Sequence, residues 1–66
     1  MTTYERLLTG LKNEIARYTN PETSYERMLT LEELIQSAKA THLITNNEYI
    51  ILIAQYTKTM ETMGLI

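Results

Sequence analysis

Apolar side chains recur at steps of three and four through the first segment, at Tyr4, Leu7, Leu8, Leu11, Ile15 and Tyr18. Glu5, Arg6, Lys12, Asn13 and Arg17 fall on the opposite side. That spacing draws one apolar stripe along an amphipathic helix. Thr2, followed three residues later by Glu5, has the pattern of a capping box, in which hydroxyl and carboxylate satisfy the orphan N–H groups reciprocally. The spacing therefore predicts a helix over about 3–19, closed by Asn20 and Pro21, because proline disfavours the helical conformation before it and has no N–H. Gly10, inside this helix, costs about 1 kcal/mol relative to alanine. It reads as a tolerated flaw ahead of a site of close helix approach.

Tyr25, Met28 and Leu29 resume helical spacing after a second Thr/Glu pair, Thr23 and Glu26, and a third pair, Thr30 and Glu33, precedes Leu31, Leu34, Ile35 and Ala38. The pattern allows one helix over about 22–40 or two helices parted at Thr30, and continuity is the favoured reading. Thr41 to Thr45 forms a turn, with Leu43 and Ile44 expected to point inward. A fourth pair, Thr45 and Glu48, opens a last helix over about 46–62, with Gly64 as its left-handed stop. The expected architecture is an all-α three-helix bundle, one domain over residues 1–66.

The last helix carries more apolar surface than one stripe needs. Tyr49, Leu52, Ile53, Tyr56, Met60 and Met63 form one face, and Ile50, Ile51 and Ala54 add a second beside it. A helix that is apolar over most of its circumference must be covered on several sides, and two short neighbours cover about half of the cylinder. An oligomer is expected on that ground, with a central helix in a monomer as the competing reading. A strand over Tyr49 to Tyr56 is disfavoured, since no second segment offers a partner strand.

The segment Thr2 to Thr9 is echoed by Thr23 to Thr30, with six of eight positions identical. Two helix starts using the same capping chemistry explain the echo more simply than a duplicated contact surface of Tyr and Arg.

Length sharpens the stability problem. A chain of 66 residues has room for one small core, and at about 60 residues only roughly 60 % of the unfolded surface is buried on folding. No Cys is present to make a disulfide, and a single His, His42, leaves little for a metal. Helical packing, or burial against another chain, must supply the rest. The composition, 44 % hydrophobic and 21 % charged, is that of a folding chain. All eight acids are Glu, which favours helix. A net charge of −2 and a pI of about 5.2 argue against a polyanion-binding surface. Glu5 and Arg6 interrupt any apolar leader, and the longest apolar run, Tyr49 to Ala54, is far too short to span a bilayer, so a cytoplasmic location is expected.

Catalytic chemistry is thinly provided for. A Ser-His-acid constellation would have to use His42 from a predicted turn, with Ser24 and Ser37 at a helix start and on a polar face. Glu32 and Glu33 are sequence neighbours that point apart on a helix, and they suit the positive end of a helix dipole better than acid–base work. Gly10 and Gly64 are the only glycines, so no phosphate loop exists. A helix-turn-helix reader would present Asn46, Asn47, Glu48, Tyr49 and Ile50 with no Lys or Arg before Lys58. No enzyme activity, cofactor or metal is expected.

The run Leu31-Glu32-Glu33-Leu34-Ile35, then Ala38, then Leu43-Ile44-Thr45-Asn46-Asn47-Glu48-Tyr49, resembles the short helical hairpins of SHOCT-type domains and of the small XkdX-like proteins of Gram-positive phages. The likeness covers residues 31–56. Those hairpins usually carry Gly before the Ile-Thr, where this chain has Thr41, His42 and Leu43. The resemblance implies a hairpin used for protein contact, of phage or prophage origin, and no activity. The expectation is thus a non-catalytic interaction module that binds itself, another protein, or both, through helix-on-helix contact at Tyr49, Ile50, Ile53, Tyr56, Met60 and Met63. The alternative is a dimeric nucleic-acid-binding regulator whose assembly collects Arg6, Lys12, Arg17 and Arg27 on one face.

Overall fold

Three helices and no strand make up the chain: α1 (Thr3–Asn13), α2 (Pro21–Ala40) and α3 (Asn46–Thr62). A computed structural model describes all of residues 1–66. Each helix packs against both others, so the bundle is triangular in section. The core unites Leu7 and Leu11 of α1, Met28, Ile35 and Ala38 of α2, Ile44 of the turn, and Leu52 and Met60 of α3. The radius of gyration is 11.4 Å and the exposed surface 4374 Å². A compact chain of this mass presents about 4,300 Å². The exposed area is thus ordinary for the mass, and what distinguishes this surface is which residues lie on it.

The caps of α1 and α3 are those expected from their threonines. Thr2 Oγ1 accepts from the Glu5 N–H at 3.1 Å and Glu5 Oε1 accepts from the Thr2 N–H at 3.0 Å. Thr45 and Glu48 repeat the arrangement at 3.1 and 2.9 Å. The hydrogen bonds to Thr2, backbone first, hold the Glu5 carboxyl below its ordinary pKa.

At α2 the expected cap is replaced. Asn20 Oδ1 accepts from the Thr23 N–H at 2.9 Å, and Pro21 occupies the first helical position, where its missing N–H costs nothing. The echo of Thr2 to Thr9 is therefore not a second helix start. Thr23 lies within the first turn, and the residues that follow the two copies meet instead, Gly10 lying against Leu31. Helix α2 runs unbroken through Thr30, whose hydroxyl donates to the Glu26 carbonyl at 3.2 Å and caps nothing.

Helix α1 stops short of the predicted residue 19. No backbone N–H reaches the Leu11 carbonyl, which accepts the Thr59 hydroxyl from α3 at 3.3 Å. Past Asn13 the chain turns, with the Arg17 N–H shared between the Asn13 and Glu14 carbonyls. Ile15 and Tyr18 consequently leave the core stripe and are largely exposed.

Both α2 and α3 end in Schellman motifs. The Leu43 N–H donates to the Ala38 carbonyl at 2.9 Å and the His42 N–H to Lys39 at 3.1 Å. The Leu65 N–H donates to Met60 at 2.9 Å and the Gly64 N–H to Glu61 at 3.0 Å. Gly64 has φ +71°, as its role requires, whereas the equivalent place on α2 is filled by His42 at φ +60°. This turn also corrects the expectation for Leu43. Ile44 is buried, but Leu43 lies outward over Ala38.

Candidate functional site

Helix α3 sorts its apolar residues by angle. Leu52, Thr59 and Met60 point to the bundle axis and are buried, and Tyr49, Ile53, Tyr56 and Met63 pack half-buried against the core on the flanks. Ile50, Ile51 and Ala54 lie on the opposite side, with Ile50 64 % and Ile51 49 % exposed. Fully covering one such side chain is worth about 1.5–3 kcal/mol. These two neighbours, flanking the line of Ala54, form the part of α3 that the fold leaves without cover.

Of the six residues expected at an interface, only Ile50 stands clear in solvent. Met60 is 3 % exposed and belongs to the core, because the axis-facing side of α3 must fill the space between α1 and α2. Tyr49 serves contact within the chain. Gln36 Nε2 donates to its hydroxyl at 2.9 Å, and Lys39 Nζ stands 4.1 Å from the ring centroid. Burial pushes the Tyr56 hydroxyl above the ordinary tyrosine pKa, with smaller contributions from the Glu32 carboxylate and from Tyr25. Ile53 and Met63 are flank residues. Ile51 belongs with Ile50 more than any of these, and the signal was its place three residues before Ala54.

A second apolar surface lies between α1 and α2, where Leu7, Leu34, Ala38 and Leu43 form a groove of about 370 Å³ with Thr3, Arg6 and Ser37 at its rim. Leu34 and Leu43 are 50 % and 64 % exposed there. Leu34 shares the helical spacing of Leu31, Ile35 and Ala38. The rotation of α2 that puts Ile35 on the axis turns Leu34 toward solvent.

The basic residues are placed as follows within one chain. Arg6 lies by the α2–α3 turn, whereas Arg27, near the start of α2, donates to the Arg17 carbonyl at 3.2 Å. Lys12 is exposed on α1. His42 is exposed, and no three His, Cys, Asp or Glu side chains gather as a metal site. No helix is long and apolar enough to cross a membrane. Comparison with protein families, with curated proteins and with solved structures gives no match for the chain.

Proposed function

We propose that this chain is a small non-catalytic interaction module, a cytoplasmic adaptor or assembly factor that binds protein, its own copies included, through the outward face of α3. The observation that carries the reading is the exposure of Ile50 and Ile51 on the side of α3 opposite its core contacts. With Ala54, three and four residues on, they make a small apolar patch that can meet the groove or helix of a partner. The likeness of residues 31–56 to small phage hairpin proteins accords with that role and with a phage origin.

Sedimentation velocity over a range of concentrations tests it. The average mass of the native chain rises with concentration. Ile50→Glu combined with Ile51→Glu removes the rise while the far-ultraviolet spectrum stays helical, since neither side chain contributes to the core. A mass that never changes, or that rises equally in the double variant, counts against the reading. Met60→Glu is unsuited to this purpose, because a charge forced into the core unfolds the chain whatever its surface does.

A further inference from the structure

We infer that the groove between α1 and α2 is a binding site for a small amphiphilic anion, an aliphatic chain ended by one carboxylate, with the chain laid against Leu7, Leu34 and Leu43 and the carboxylate paired with Arg6. The site is separate from the outward face of α3 and does not depend on association there.

The groove exists because one side chain is small. In a Schellman motif the residue after the left-handed position packs on the residue five places before it. At the end of α3 that pair is Leu65 on Met60, and the long Met60 side chain fills the space, so that Met60 is buried and Leu65 packs half-buried against the core. At the end of α2 the pair is Leu43 on Ala38. A methyl group covers little of a leucine. Leu43 therefore stays largely exposed, as does Leu34 on the same side of α2, and the space above Leu7 and Ala38 is left open.

Size selects the class of occupant. The groove, about 370 Å³, falls within the range of about 300–1,000 Å³ that holds small ligands. A helix is about 10–12 Å across with its side chains and a standard protein interface takes about 800 Å² from each partner, both too large for a recess lined by seven residues.

Charge selects the head group. Arg6 is exposed at the rim, and the residues three and four places from it along α1 are Thr2, Thr3, Thr9 and Gly10, so its own helix offers it no carboxylate. No acidic residue lines the groove. Thr3 and Arg6 also lie near the start of α1, at the positive end of its dipole. The end of α2 lies close by, but its Ser37, Ala38 and Lys39 carbonyls already accept from the N–H groups of Thr41, Leu43 and His42. One guanidinium balances one carboxylate and can meet it with two parallel hydrogen bonds, whereas a doubly charged phosphate would keep half its charge uncompensated.

Octanoate, octylammonium and octanol share one chain and differ in charge, so amide shifts in NMR titrations separate the head from the chain. Octanoate is expected to move the amides of Thr3, Arg6, Leu7, Leu34, Ser37 and Leu43 and to bind more tightly than either analogue, although the net charge of −2 favours the cation elsewhere on the surface. From hexanoate to octanoate the affinity rises about fourfold per methylene covered. Arg6→Gln weakens octanoate roughly 3- to 10-fold and leaves octanol little changed.

Ala38→Met supplies the side chain that Met60 supplies on α3, and it abolishes binding. Where circular dichroism shows that variant unfolded, Leu43→Ala, at an exposed position, removes one wall and weakens octanoate instead. No shift below the aggregation concentration, equal binding of the three amphiphiles, shifts centred on Ile50 and Ile51, or octanoate binding untouched by Arg6→Gln overturns the inference. Tighter binding of an acetylated tri-leucine peptide, which carries the same carboxylate on a polar chain, assigns the groove to a peptide end and overturns it as well.

Discussion

The Thr59 hydroxyl donates to the Leu11 carbonyl at 3.3 Å, joining α3 to the last turn of α1 across 48 residues of chain. Gln55 Nε2 donates to the same hydroxyl at 3.1 Å, and Thr59 is fully buried. This buried hydroxyl satisfies a carbonyl that the ending of α1 releases from its helical partner. Thr59→Val leaves that carbonyl unpaired at similar volume and is expected to lower stability by about 1–3 kcal/mol. Thr59→Ser, which keeps the hydroxyl, costs less. Urea unfolding followed by circular dichroism measures both, and equal losses would mean that the methyl group, and not the hydrogen bond, matters.

His42 stands at φ +60° in the position that Gly64 fills on α3. A left-handed backbone costs a side-chain-bearing residue roughly 1–2 kcal/mol. His42→Gly is expected to relieve about 1 kcal/mol of this and to raise the melting temperature by about 4–8 °C. His42→Val should lower it, since a β-branched side chain tolerates this conformation least. Thermal melts of the two variants check the order.

Gly10 proves to be the tolerated flaw. A methyl group built there meets only Leu31 Cδ2, at an ordinary contact distance of 3.5 Å. Gly10→Ala should therefore stabilise the chain by about 0.5–1 kcal/mol through helix propensity. A loss measured in denaturant would show that α1 and α2 cannot yield even at that distance.

Glu5 gives a pH dependence of known sign. Its folded pKa lies below the unfolded value, so its contribution is present above the unfolded pKa and fades as the pH falls through the folded one. Amide exchange in the first turn of α1 should speed up over that acid range, beyond the intrinsic pH trend of exchange. Glu5→Gln should abolish the extra change and leave the first turn of α3, capped by Thr45 and Glu48, as it was.

Local chemistry made the helices legible before any packing was known. The boundaries of α3, the caps at Thr2 and Thr45, and the left-handed stop at Gly64 follow from hydrogen bonds that close within a few residues. The exposed second face of Ile50, Ile51 and Ala54 was legible too, because three helices offer only two neighbours to any one of them.

Other features depend on groups distant in sequence. The end of α1 is tied to Thr59, a residue from the other end of the chain, so periodicity alone extended that helix too far. Periodicity placed Leu34 and Met60 on apolar stripes but could not say which edge of a stripe meets the bundle axis. That depends on the rotation of each helix about its axis, set when side chains of all three interlock. Packing turned Met60 inward and Leu34 outward. Sequence by itself determined where helices begin and how much apolar surface they carry, because those are short-range properties. Only the tertiary structure decided which part of that surface faces water, because burial is shared among elements that the chain brings together from afar.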